Sequence, residues 1–183
     1  MTSRLYSFAA DVHGAWQVTA QACVIGEPLP EASALSVLPG EAPPSNYRWV
    51  LRGVTSNERY VERAEREVLV AKQEGLGRAS SICAVLIPIR KNAAWWALTQ
   101  DERRAVFETR SKHIEIGVRY LPAIARRLHH CRDLASNEPF DFLTWFEFAP
   151  TDTPAFDALL AELRASEEWR YVDREVELRL ARA

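Results

Sequence analysis

Residues 103–133 read RRAVFETRSKHIEIGVRYLPAIARRLHHCRD. The first part has helical spacing: Phe107, Ile114 and Val118 form one apolar stripe, with His113 at its margin near the helix end. Pro122 cannot continue a helix and pushes Leu121 toward extended geometry. Beyond that corner, strand alternation places Ile124, Arg126, Leu128 and His130 on one face, and Ala123, Ala125, Arg127 and His129 on the other. The stretch therefore delivers one imidazole from a helix and one guanidinium from a strand. Set between Ile124 and Leu128, Arg126 is either an outward strand charge or a cation held in an apolar pocket.

The neighbouring elements extend this plan. Upstream, Thr99-x2-Glu102 is a capping box that opens the helix carrying His113. Residues 82–91 (ICAVLIPIRK) read as a buried strand with Cys83, Val85, Ile87, Ile89 and Lys91 on one face. Pro88 within it argues for an edge position or a bulge. Residues 92–98 form a turn and short helix with Trp95 and Trp96. Downstream, the polar loop 135–139 leads to a strand over 141–149. Thr153-Pro154 starts a helix whose Phe156, Leu159, Leu160 and Leu163 recur at i, i+3, i+4, i+7. A last strand over 169–180 alternates Val172, Val176, Leu178 and Leu180 against charges. From residue 82 the order is strand, helix, strand, strand, helix, strand, the ferredoxin-like βαββαβ plan.

The first half supplies strands with few helices. Residues 5–12 and 15–25 alternate, with His13-Gly14 between them as a tight hairpin turn. Residues 27–46 hold five prolines and read as a long loop with one short strand at 34–37; 47–55 is a further strand. From Ser56 to Gly77 the pattern suits a strand running into a short helix that stops at Gly75 and Gly77, with Gln73 just before the stop. The expectation is an α+β chain of two ferredoxin-like units in a dimeric α/β-barrel arrangement. Residues 1–80 form a shortened N-terminal half and 81–183 the C-terminal half, in one compact body.

Composition narrows the function classes. The 183 residues are 48% hydrophobic and 26% charged, with a net charge of −2. Nothing points to nucleic acid or an anionic membrane. No apolar run approaches the ~20 residues needed to span a bilayer, and the first residues lack the pattern of a signal peptide. Cys23, Cys83 and Cys131 are odd in number and widely spaced, and read as reduced core thiols of a cytoplasmic protein.

Taken alone, His113 suits a capping histidine near a helix C-terminus as well as a metal ligand. Glu162 on the 154–166 helix suits a solvated flank charge, Lys91 a strand-end charge, Gln73 an exposed helical residue, and Trp95-Trp96 ordinary core packing. His129 and His130 suit polar strand positions.

The combined pattern changes these weights. His113-x3-Gly117-x2-Tyr120-Leu121-Pro122, then Arg126, Asp133-Leu134 and Asp141-Phe142-x2-Trp145-x-Glu147-Phe148 resemble the chlorite dismutase family of haem b proteins. The similarity runs from about Gly53 to the end, and the chain is most similar to the compact, N-terminally shortened, dimeric members. The resemblance implies non-covalent haem b on His113 and conversion of chlorite to chloride and molecular oxygen. It implies Arg126 as the distal cation that holds the chlorine-containing fragment, and Gln73 as its hydrogen-bond partner. Glu162 becomes the carboxylate on the second nitrogen of His113, with Glu167 as fallback. Lys91 is placed to pair with a haem propionate and Trp95 against the haem edge. Arg127 would face away and be dispensable. Two alternatives stay open: a coprohaem decarboxylase, which does not use an arginine at the Arg126 position, and a haem-binding or haem-sensing protein without turnover. A cofactor-free ferredoxin-like monooxygenase or ligand binder is the third.

Overall fold

The computed structural model describes residues 4–55 and 59–183. Among them eight strands close into a barrel: β1 (Leu5–Asp11), β2 (Trp16–Ile25), β3 (Ala34–Pro39), β4 (Trp49–Val54), β5 (Cys83–Lys91), β6 (Ala125–His130), β7 (Phe142–Phe148) and β8 (Val172–Arg182). They neighbour one another as β1-β3-β2-β8-β5-β7-β6-β4, and every pairing is antiparallel. Each half of the chain thus contributes four strands in the order fourth, first, third, second. The closing seam is thin: β4 meets β6 at the pair Val54↔His130. Gly53 makes that approach possible, since a Cβ there would lie 2.7 Å from the His129 Cβ.

Strand alternation sorts the side chains into two cores. Phe8, Leu35, Leu86, Leu143, Trp145 and Leu178 point inward and fill the barrel. The outer faces of β5 and β7 carry Val85, Ile87, Phe146 and Phe148, which pack against helix α5 (Thr153–Arg164). The stripe foreseen there is complete, with Phe156, Leu159, Leu160 and Leu163 all buried. Each such burial stabilises by roughly 1.5–3 kcal/mol. Of the other helices, α1 (Arg63–Lys72) lies in the first half of the chain, and α2 (Ala93–Ala97), α3 (Gln100–Arg104) and α4 (His113–Arg119) lie in the second.

Several expectations are corrected. No hairpin forms at His13-Gly14: β1 pairs with β3 and β4, while β2 runs on to pair with β8. Gly14 is needed for another reason, because a Cβ would meet the Leu35 carbonyl oxygen at 2.7 Å. β5 is no edge strand, being bonded to both β7 and β8, and the β8 pairing is interrupted at Ile87 and Pro88, where the missing N–H falls. Residues 59–62 form no strand; the part of that expectation at 56–58 lies outside the described residues. Helix α1 follows directly, opened by a Glu62–Glu65 capping box.

The helix expected to run unbroken to His113 is interrupted. The Thr99–Glu102 capping box does open α3, but a π-helical stretch follows over Ala105–Arg110, and Lys112 takes a left-handed conformation (φ 54°). His113 is consequently the first residue of α4 rather than near a helix end.

Candidate functional site

A cavity of about 550 Å³ lies between the outer face of β5, β7 and β6 and the helices α1, α4 and α5. His113, Arg126, Gln73, Lys91 and Trp95 all line it. Its volume falls within the range of cofactor and ligand pockets.

The break before α4 aims the imidazole. Lys112 offers no side-chain cap, so Glu108 reaches forward: its carboxylate accepts from the Ile114 N–H at 2.6 Å and from the Glu115 N–H at 3.3 Å. A carboxylate at that helix start also suits the macrodipole. The His113 ring lies on Phe107, with centroids 4.4 Å apart and planes 24° apart. Its Nδ1 is 2.7 Å from Glu168 Oε2. The other carboxylate oxygen of Glu168 accepts from Lys91 Nζ, also at 2.7 Å. Ser111, in the turn before His113, accepts the Glu168 backbone N–H at 2.8 Å. Imidazole, carboxylate and ammonium therefore form one buried chain. Burial opposes the Glu168 charge, but His113 and Lys91 outweigh it and hold the carboxyl at a pKa of about 2.

Two assignments are thereby corrected. Glu162 does not touch His113; it accepts from Arg119 and Tyr120 on the flank of α4. Glu167, the fallback, pairs with Arg110 at 3.0 Å. The carboxylate is Glu168, which lies past the helix expected over 154–166 and was therefore not weighed with the residues on it. In fact α5 ends at Arg164 and a 3-10 turn over Glu167–Tyr171 starts at Ser166. The serine after the last apolar stripe residue was the available signal: it marks a helix stop, beyond which adjacent glutamates point different ways. Lys91 is likewise not open toward a ligand carboxylate. Its Nζ is bound to Glu168 and lies 4.6 Å from the Trp95 ring centroid.

Arg126 is half-buried on the cavity wall. Its guanidinium comes up to α4, within about 3.8–3.9 Å of the position a Cβ on Gly117 would take. Gly117 sits one turn beyond His113 on the same helix face. Gln73 donates from Nε2 to the main-chain oxygen of Arg126 at 2.9 Å. It fastens the strand that carries the arginine. Arg127 is not idle: it lies over Tyr6 at 3.9 Å and donates to His129 Nε2 at 3.0 Å. Of the thiols, Cys131 is buried, but Cys23 is exposed and is no core residue.

The residues fit a haem. With Nδ1 taken by Glu168, Nε2 is the nitrogen His113 has left for a metal, and a carboxylate on the far nitrogen fixes the tautomer and raises the donor strength of the ring. Among the described residues there is no group of three or more His, Cys, Asp or Glu side chains that could hold a metal ion. The apolar walls, Ile87, Ile89, Phe146 and Leu160 among them, suit a flat hydrophobic group. Three polar atoms of wall residues, Trp95 Nε1, Trp96 Nε1 and His130 Nδ1, are buried without a partner.

Comparison with known proteins agrees. Residues 42–183 match a family model described as chlorite dismutase. A curated chlorite dismutase from Ideonella dechloratans is 35% identical over 88 residues, 48% of this chain; the matched segment spans only 28% of that relative's length. A solved structure of a dimeric chlorite dismutase from Nitrobacter winogradskyi is 56% identical, superposes with a TM-score of 0.90 and covers 97% of this chain and 99% of its own. A mutant chlorite dismutase from Candidatus Nitrospira defluvii in complex with cyanide is 19% identical, with a TM-score of 0.67, and covers 100% of this chain and 92% of its own. That last likeness speaks for the fold alone.

Proposed function

The chain belongs to the chlorite dismutase family, and on that premise we propose that it is a haem b-dependent chlorite dismutase, converting chlorite to chloride and molecular oxygen. The observation that carries this reading is that the His113–Glu168–Lys91 chain and Arg126 line one cavity. When bound, haem supplies the redox centre at which the chlorine–oxygen bond breaks and the oxygen–oxygen bond forms.

The chain's own residues supply the rest. His113 offers Nε2 to iron. Glu168 accepts the Nδ1 proton and, kept ionised by Lys91, makes the imidazole a stronger electron donor. Arg126 draws the chlorite anion in. A guanidinium stays protonated at any working pH, and its attraction for a small anion is far larger in a low-dielectric cavity than in water. It then holds the chlorine-containing fragment until the two oxygens join. The balance is ClO2⁻ to Cl⁻ plus O2, so no net proton is needed and the wall need supply no general base. Gln73 positions Arg126 through its main chain.

Three further parts belong to this proposal. The halves 1–80 and 81–183 are ferredoxin-like units of one body; their matching strand order supports this. The protein is a homodimer, as the similar Nitrobacter protein is described. It works in the cytoplasm, which the three unpaired cysteines support.

The test is direct. The purified protein should show a haem Soret band and release oxygen on addition of chlorite. Arg126→Ala should keep the band and lose sustained oxygen release; His113→Ala should lose the axial-ligand spectrum. A haem-loaded wild type that gives no oxygen from chlorite would refute the activity and favour haem binding without turnover.

A further inference from the structure

We propose that His130 is the group that receives a carboxylate side chain of the haem, a positioning role that rests on the haem reading above. Lys91 is paired with Glu168, and Arg59 donates from Nη2 to Asp133 at 2.6 and 2.7 Å, so both of these cavity-lining cations already have a carboxylate of the protein.

His130 stands in contrast to both. It is 4% exposed, lines the cavity, and among the described residues neither ring nitrogen has a hydrogen-bond partner. A buried polar group without a partner costs free energy and calls for an explanation. Its neighbour on the other strand face, His129, is placed quite differently: Nδ1 lies 3.1 Å from the Leu143 carbonyl oxygen and Nε2 accepts from Arg127. The barrel interior thus satisfies one histidine, while the cavity leaves its twin unsatisfied.

Position along the strand selects the kind of ligand group. Arg126 and His130 share one face of β6, four residues apart, which is about 13 Å. If Arg126 stands over the centre of the macrocycle, His130 reaches only its rim, and at the rim a haem offers carboxylates. The sheet register puts His130, Phe142 and Ile89 in one row, and α2 begins just past the end of β5. Trp95 therefore lies at the same end of the sheet, and its Nε1–H, a donor with no acceptor, lines the same cavity. With the adjacent Trp96 Nε1–H, which is also without an acceptor, unsatisfied nitrogens of three residues gather at one end of the cavity and mark that end as the seat of the carboxylates. The burial that keeps His130 neutral leaves one ring N–H to donate.

The test measures how tightly the cofactor is held, not turnover. Haem loss to a scavenger apoprotein is timed for wild type, His130→Phe and His130→Gln, each loaded with haem or with its dimethyl ester, whose carboxylates are blocked. His130→Phe should lose haem about tenfold faster than wild type, the factor one charge-assisted hydrogen bond supplies. His130→Gln, which keeps a donor, should recover most of the difference. With the dimethyl ester all three should release alike. Equal acceleration with haem and ester would show a packing role and overturn the assignment, as would a His130→Phe protein that holds haem like wild type. A wild type that takes up no haem would overturn the underlying reading instead, and the two failures are told apart by the wild-type Soret band.

Discussion

Replacing Glu168 by Gln tests the buried chain beneath the candidate ligand. The carboxylate and the Lys91 ammonium are both almost fully enclosed, with side-chain exposures of 7% and 3%, and they meet at 2.7 Å. Glutamine keeps the shape and removes the charge, so Lys91 is left as an unpaired cation in an apolar wall. Breaking a buried pair from one side costs about 3–5 kcal/mol. The pKa of about 2, against 4.5 for a free glutamate, agrees with the lower end, at roughly 3 kcal/mol. In a chain of this size each kcal/mol moves Tm by about 2–4 °C, so Glu168→Gln should lower it by roughly 6–20 °C. The decisive measurement is a double-mutant cycle by urea denaturation with Lys91→Met as the second change. The double variant should recover most of the loss, because it removes the stranded charge. If Glu168→Gln costs less than about 1 kcal/mol, or if Lys91→Met simply adds its own loss, the two groups are not coupled as described.

The acid limb of stability should start early. Burial, above all, holds His129 and His130 near a pKa of about 4 against an ordinary 6.5, so between those values the unfolded chain takes up protons that the folded chain refuses, and stability falls as pH drops. Glu168 adds a second loss between pH 4.5 and 2. A urea midpoint that stays flat from pH 7 to pH 5 would contradict the histidine part. A thiol reagent should label exposed Cys23 in the native protein, while Cys131, whose thiol is pushed well above its ordinary range by burial, reacts only after denaturation; prompt labelling of Cys131 in the native protein, located by peptide mapping, would refute this. Gly53→Ala should cost about 1–3 kcal/mol by overpacking, because the new Cβ meets the His129 Cβ at 2.7 Å, and a variant as stable as wild type would show that the strands can part there freely.

Sequence patterning reached most of the strands and helices, because each amphipathic element announces its buried face in its own period. The α5 stripe, β6 with its alternating faces and the Thr99 capping box are all of this kind. What it missed depends on contacts across the fold. The His13-Gly14 turn looks like a hairpin locally, yet β1 finds its partners in β3 and β4, and nothing near residue 13 records that. His113 and Arg126 could be named from the motif, since both sit within a short stretch of chain. Glu168 could not, because it lies 55 residues from His113 and just past a helix stop, where no periodicity carries over. Lys91 was found, but its role was misjudged for the same reason: the partner that claims it lies 77 residues away.

The thin join between β4 and β6 has a mechanical consequence. Most strands here leave a neighbour only by giving up a longer ladder of hydrogen bonds; among the described residues β4 and β6 share the one pair Val54↔His130. β6, which bears both Arg126 and His130, can therefore swing on its β7 side like a door hung on one jamb. Breathing of the cavity would then not require the barrel to melt. Amide exchange should find this margin opening first, ahead of the β5–β8 wall opposite.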